Sequence, residues 1–113
     1  MLSKPNRLVR QRDFTALFDN AKSFQGRELV LKVYAKGGKG VRIGVIISKK
    51  SAKKAVMRNR LKRLIRETMR AFVPLFPEGT DIAVITRPGV ERVEEKQILF
   101  SLRQLAEKAL RYQ

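Results

Sequence analysis

The segment that most constrains the fold is residues 51–73, where apolar side chains recur at helical spacing on one side only. On a wheel of ~100° per residue, the other side is almost wholly cationic. A helix with one apolar side must bury it against another layer, so the segment predicts a long helix packed on a sheet. We expect Ser48 or Ser51 to cap its beginning. The predicted buried side comprises Met57, Leu61, Leu64, Ile65, Thr68 and Phe72, and the outward side comprises Arg58, Asn59, Arg60, Lys62, Arg63, Arg66 and Arg70.

The remaining segments supply the sheet and two further helices. Residues 28–35 and 41–48 alternate in hydrophobicity around the glycine-rich turn 36–40, which predicts an antiparallel hairpin. The other predicted elements are a helix at 12–21, a buried strand at 81–86, and a closing helix at 90–111 with a core stripe of Ile98, Leu102, Leu105 and Ala109. Together they predict an α+β sandwich in a single domain, residues 1–113.

The cations are concentrated in one third of the chain. The formal net charge is +16, and 13 of the 26 Lys and Arg lie in residues 29–66, which contain no acid. A solvated helix face and a membrane-surface helix are the alternatives, but so long an acid-free run favours a polyanion. The spacing fits no zinc-finger, zipper or helix-turn-helix pattern, so we expect RNA, held by phosphate contacts and by stacking on aromatic side chains.

The composition excludes several kinds of site. The chain has no Cys and no His, which excludes disulfides, thiolate or imidazole metal sites, and Cys- or His-based catalysis. Carboxylates are too sparse in the basic third to gather Mg²⁺ there. No apolar run reaches the ~20 residues that cross a bilayer, and the N-terminal residues lack the apolar region of a signal peptide. These features are compatible with a reducing cytoplasm, where we expect the protein to act.

Residues 55–67, AVMRNRLKRLIRE, resemble the signature of the protein subunit of bacterial ribonuclease P. The likeness covers nearly the whole chain. Its further pieces are NRL at 6–8, DF then LF at 13–18, SKK at 48–50, and DIAVIT at 81–86. The resemblance implies the element order α-β-β-β-α-β-α in a small α-β sandwich, the ribosomal protein S5 domain 2-like fold. It also implies a left-handed β-α-β crossover, an exception to the usual hand.

The resemblance also implies a function. The family removes the 5′ leader of precursor tRNA, and its catalyst is an RNA that uses Mg²⁺. The protein would be an accessory subunit of this endoribonuclease, with no catalytic residue and no metal-binding side chain. It would bind ribonuclease P RNA, one protein per RNA, and precursor tRNA. Charge and element order alone leave open a ribosomal-type rRNA-binding protein, a self-sufficient nuclease and a DNA-binding module.

Two groups of site residues follow from the resemblance. The group expected to bind the RNA subunit comprises Arg58, Asn59, Arg60, Lys62, Arg63, Arg66, Lys49, Lys50 and Lys53. The group expected to bind the leader comprises Phe14, Phe18, Lys32, Tyr34 and Ser48. The sequence departs from the family pattern at Lys32, where relatives often have an aromatic residue, and at Ala106, where some do.

Overall fold

The computed structural model describes residues 7–8 and 10–112. Within them the predicted order α-β-β-β-α-β-α is confirmed, and the fold is α+β. The elements are α1 (Gln11–Asn20), β1 (Lys22–Gln25), β2 (Leu29–Ala35), β3 (Val41–Ile46), α2 (Ala55–Arg70), β4 (Thr80–Thr86) and α3 (Glu95–Arg111). Short 3₁₀ turns at Val73–Leu75 and Val90–Arg92 precede β4 and α3.

The four strands form one mixed sheet in the order β1-β2-β4-β3. β4 pairs with β2 in antiparallel fashion and with β3 in parallel. The predicted hairpin between residues 28–35 and 41–48 is therefore wrong, because β4 lies between these strands. The parallel neighbours β3 and β4 are joined through α2 in a β-α-β unit, whose left hand stays a prediction.

The glycine-rich turn crosses the beginning of β4 instead of closing a hairpin. The Gly37 amide donates to the Gly79 carbonyl at 3.0 Å, and the Gly79 amide donates to the Gly40 carbonyl at 2.8 Å. A Cβ atom at Gly79 would lie 2.4 Å from the Gly37 carbonyl carbon, and the Gly79 φ of +82° is left-handed. Glycine is required here because two backbones meet without room for a side chain.

The hairpin that does form joins β1 to β2, with Phe24 opposite Leu31. The resemblance implies a third strand before α2, but the hydrophobic pattern of residues 22–25 does not indicate one. In a segment this short, Phe24 is the one buried side chain, so there is too little alternation to indicate a strand.

One sheet face carries the main hydrophobic core beneath α2 and α3. In the alternating segment 41–48, the apolar positions 41, 43, 45 and 47 are buried. The predicted core stripe of the closing helix is confirmed, and it also includes Ala106. The opposite face packs against α1 through a smaller cluster of Leu8, Leu17 and Ala83. The half-buried Phe14, Ala21 and Tyr34 surround this cluster.

α2 begins at Ala55, several residues after the predicted serine caps, and neither serine caps it. Ser48 and Ser51 instead form a turn, in which the Ser51 amide donates to Ser48 Oγ at 3.2 Å and the Ser51 hydroxyl donates to the Thr86 carbonyl at 3.1 Å. Along α2, the buried positions Leu61 and Ile65 agree with the predicted side. The third buried residue, Met69, had not been predicted. In the described part of the chain, no helix combines the length and hydrophobicity needed to span a membrane.

Candidate nucleic-acid interface

The outward side of α2 carries the predicted cations and Asn59, but these polar side chains differ in exposure. Asn59, Arg60 and Arg63 are exposed, whereas Arg58, Lys62 and Arg66 are half-buried. The apolar side of α2 fixes this arrangement, because its contact with the sheet core determines how the helix is rotated. The half-buried cations therefore lie along the margins of the packed side, and their side chains contact protein as well as solvent.

Arg58 supports the beginning of α2. Its Nη1 donates to the carbonyls of Ala52 and Lys53, at 2.9 and 2.8 Å. These contacts tie the helix to the segment that precedes it. The guanidinium predicted to bind RNA thus also holds the connection between β3 and α2 in shape.

Arg60 forms an ion pair with Glu95 at the beginning of α3. Arg60 Nε lies 2.9 Å from Glu95 Oε2, and Arg60 Nη2 lies 3.0 Å from Glu95 Oε1. The hydrogen bonds and charge of Glu95 raise the pKa of Arg60, and Arg60 in turn lowers the pKa of Glu95. A phosphate that approaches Arg60 must therefore share this guanidinium with Glu95 or displace the carboxylate.

Arg66 is half-buried and lies near the positive charge of Arg7. Its Nε is buried and has no hydrogen-bond partner among the described residues. Burial lowers the pKa of Arg66, and the nearby charge of Arg7 lowers it further. An anion at this point would oppose both effects, because it would supply an acceptor and a negative charge.

The connection from β3 to α2 contributes exposed cations. Lys49, Lys50 and Lys53 are exposed, as is Ser48 at the beginning of the turn. The Lys53 amide donates to Glu91 Oε2 at 3.1 Å, which ties this segment to the 3₁₀ turn before α3. The predicted lysines therefore add exposed positive charge in the segment that immediately precedes α2.

A cleft between α1 and the edge strand β3 contains the predicted aromatic residues. The rings of Phe14 and Phe18 have centroids 6.3 Å apart. The cavity has a volume of about 360 Å³, and Lys62 of α2 lines it together with them. We call this the aromatic cleft; its lining is Gln11, Phe14, Phe18, Val45, Ile46, Ile47 and Lys62. The structure thus brings together Phe14 and Phe18, predicted to bind the leader, and Lys62, predicted to bind the RNA subunit, and it adds Gln11 and the end of β3.

Phe14 reaches this position because β3 has a glycine beneath it. A Cβ atom at Gly44 would lie 2.4 Å from Phe14 Cζ. The absence of a side chain at Gly44 allows the ring to pack directly on the strand backbone. A glycine within an alternating strand is the sequence signal that could have indicated this close approach.

Lys32 and Tyr34 do not line the aromatic cleft. They share one face of β2, but Lys32 Nζ donates to Ser23 Oγ at 2.8 Å on the neighbouring strand. Tyr34 packs near the cluster under α1 and lines a different cavity, together with Asn20, Lys22 and Tyr112. The predicted leader residues are therefore distributed over more than one surface.

A charged triad that the sequence analysis missed anchors α1 to the sheet. Arg42 Nε and Nη2 donate to the two carboxylate oxygens of Asp81 at 2.9 and 2.7 Å. Arg42 Nη1 also donates to Asp13 Oδ2 at 3.0 Å. The hydrogen bond to Asp81 is the main reason that the pKa of Arg42 is raised. Because Asp13 directly precedes Phe14, the triad fixes the wall of the aromatic cleft.

The described residues contain no group of three or more acidic side chains arranged to hold a metal ion.

The comparisons with known proteins agree with the sequence resemblance. The Ribonuclease P family model matches residues 2–110. A ribonuclease P protein component of Cyanothece sp. is 33% identical over 125 residues, which cover 96% of this chain and 95% of the relative.

Solved structures lead to the same family. The RNase P protein of Staphylococcus aureus superposes with a TM-score of 0.83 at 30% identity, covering 94% of this chain and 96% of that one. The RNase P protein of Thermotoga maritima gives a TM-score of 0.76 at 34% identity, covering 90% and 96%. These matches support the ribonuclease P interpretation and not the ribosomal-protein alternative. The chain belongs to the ribonuclease P protein family.

Proposed function

We propose that this chain binds ribonuclease P RNA through the cationic side of α2, and the 5′ leader of precursor tRNA in the aromatic cleft. One protein would serve one RNA, in the cytoplasm. The observation that carries the proposal is the position of Lys62, which belongs to α2 and also lines the cleft. A leader strand in the cleft would lie directly beside RNA bound along the helix.

The chemistry of the cleft suits a single strand. Unpaired bases stack on aromatic rings, and a cationic side chain nearby can contact the phosphate that joins two bases. Phe18 presents an exposed ring, and Lys62 supplies the charge. Neither contact depends on base identity, so we expect leaders of different sequence to be accepted.

We assign the hydrolysis itself to the RNA subunit with its Mg²⁺ ions. The chain has no His or Cys for acid–base or nucleophilic chemistry, and residues 29–66 contain no carboxylate. The role of the protein would be to position the leader and to neutralise phosphate charge where two RNAs approach each other. Lower repulsion between them should reduce the Mg²⁺ concentration that the reaction needs.

The test is reconstitution of the purified protein with a ribonuclease P RNA and precursor tRNA at low Mg²⁺ concentration. We expect faster leader removal with protein and RNA together than with RNA alone, and no cleavage by protein alone. An unchanged rate would contradict the proposal. Cleavage by the protein without RNA would favour a self-sufficient nuclease instead.

A second prediction concerns the salt dependence of RNA binding. Arg60→Ala with Arg63→Ala should reduce the slope of log affinity against log salt concentration by about two units, roughly one for each lost phosphate contact. The measurement is a filter-binding titration with ribonuclease P RNA over a range of salt concentrations. Lys36→Ala with Lys39→Ala removes the same charge from the glycine-rich turn and serves as the control. Equal slopes for the two double variants would mean that the α2 cations are merely solvated.

A further inference from the structure

A second basic cleft lies on α3, apart from the aromatic cleft. It has a volume of about 390 Å³ and is formed by α3 and the turn between β1 and β2. We call it the α3–hairpin cleft. Its lining is Gln25, Gly26, Arg27, Gln97, Ser101, Gln104, Leu105, Lys108 and Arg111.

The turn that forms one wall is held in a fixed position. Arg87 Nε donates to the Gly26 carbonyl at 2.9 Å, and its guanidinium also contacts the side chain of Gln25. A Cβ atom at Gly26 would lie 2.8 Å from Leu105 Cδ1. The turn therefore packs tightly against α3, and the cleft is a shaped feature of the fold.

The charge of this cleft is positive. Arg27, Lys108 and Arg111 line it and are exposed. The neighbouring carboxylate, Glu28, is buried and accepts a hydrogen bond from Ser101 Oγ at 2.6 Å, so it does not line the cleft. An anion that enters would therefore meet cations on both walls.

The remaining polar groups suit a nucleotide chain better than a simple anion. Three carboxamides line the cleft, from Gln25, Gln97 and Gln104. A carboxamide both donates and accepts hydrogen bonds, which matches base edges and the ribose 2′-hydroxyl. Cations for the phosphates, placed beside such groups, are the combination that a phosphodiester strand requires.

The cleft lies on the opposite side of α3 from α2. Its helical lining follows steps of four and three residues, from Gln97 to Arg111, and so occupies one side along the length of α3. Glu95 lies on the other side of the helix, where it pairs with Arg60 of α2. RNA bound along α2 would therefore leave the α3–hairpin cleft accessible.

We propose that the α3–hairpin cleft is a second RNA site, which binds the phosphodiester backbone of a segment separate from the one on α2. The proposal builds on the proposed function, because it assigns the protein a second contact with its RNA partners. Two sites on opposite sides of one small protein would join two RNA segments. Each contact would raise the effective concentration for the other.

Site-directed crosslinking tests this assignment, because a chain without Cys accepts a unique thiol. A photoreactive group is attached at Gln104→Cys in the cleft, at Asn59→Cys on α2, or at Glu107→Cys, which is exposed on α3 outside the cleft lining. Each protein is then assembled with ribonuclease P RNA and precursor tRNA. We expect Gln104→Cys and Asn59→Cys to crosslink to different nucleotides, and both to crosslink more efficiently than Glu107→Cys.

Two results would overturn the proposal: crosslinking at Gln104→Cys no greater than at Glu107→Cys, or crosslinking to the same nucleotides as Asn59→Cys. If Asn59→Cys crosslinks and leader removal is accelerated while Gln104→Cys fails, the second site alone is wrong. Failure of Asn59→Cys together with an unchanged cleavage rate would instead reject the proposed function.

A charge test on the same assembly complements the crosslinking. The triple variant Arg27→Gln, Lys108→Gln and Arg111→Gln should reduce the salt slope of RNA binding by about two units, at ~0.7 for each single-strand phosphate contact. The matched control changes three exposed cations outside the cleft lining: Arg92→Gln, Lys96→Gln and Arg103→Gln. Equal slopes for the two triple variants would contradict a phosphate site in the cleft.

Discussion

Arg42→Ala is expected to lower the free energy of unfolding by about 3 kcal/mol, the lower end of the range for breaking a buried ion pair. The substitution leaves the Asp81 side chain, which is 2% exposed, without the guanidinium that donates to both of its oxygens. It also removes the link from Asp13 to the sheet. The measurement is urea unfolding at neutral pH, followed by circular dichroism.

Arg60→Ala is the matched control, since it also removes an arginine–carboxylate pair. The Arg60 side chain is 60% exposed, and exposed pairs contribute little because water solvates the separated charges well. We expect its unfolding midpoint to stay close to that of the unmodified protein. If both variants unfold at the same urea concentration, the triad does not anchor α1 to the sheet.

Phe18→Ala is expected to weaken binding of precursor tRNA to the protein–RNA complex by about 1–3 kcal/mol, because stacking with one base is lost. This corresponds to a roughly 5- to 150-fold rise in Kd. Mature tRNA has no leader, so its affinity should not change. The measurement compares the affinities of the two tRNAs for complexes assembled with each protein. Phe18 is a sharper choice than Phe14, whose ring packs on Gly44 and whose removal would also disturb the fold.

Phe100→Ala provides the control for an exposed aromatic side chain elsewhere. Phe100 on α3 is 50% exposed and Phe18 is 43% exposed, so the two substitutions remove similar surfaces. Of these two residues, Phe18 lines the aromatic cleft and Phe100 does not. An equal loss of affinity for precursor and mature tRNA in the Phe18 variant would contradict leader binding at this position.

The elements that could be predicted from the sequence are those whose periodicity is local. The stripe of α3 and the buried residues of β3 repeat at the spacing of a helix and a strand, so burial follows directly from the pattern. The strand neighbours of β2 and β3 could not be predicted in this way. A short glycine-rich connection indicates a turn, but the choice of a sheet neighbour depends on β4, which follows much later in the chain.

For the candidate site, the participating residues could be predicted from the sequence, but their arrangement in space could not. The cations of α2 and the rings of Phe14 and Phe18 follow from residue type and helical spacing. The assembly of the aromatic cleft does not, because it depends on the packing of α1 over β3 and on the triad around Arg42. The pairing of Arg60 with Glu95 joins two helices across 35 positions of sequence, a distance at which local patterns give no information.

The central position of β4 determines when the sheet can be completed during protein synthesis. A nascent chain that has not yet released residues 80–86 can form the β1–β2 hairpin, but β3 still lacks its strand partner apart from the contact with Arg7. The cationic residues 29–66 therefore leave the ribosome before the sheet that supports them exists. Insertion of β4 between two earlier strands completes the sheet, and α2, which carries five of these 13 cations, gains its full support only then.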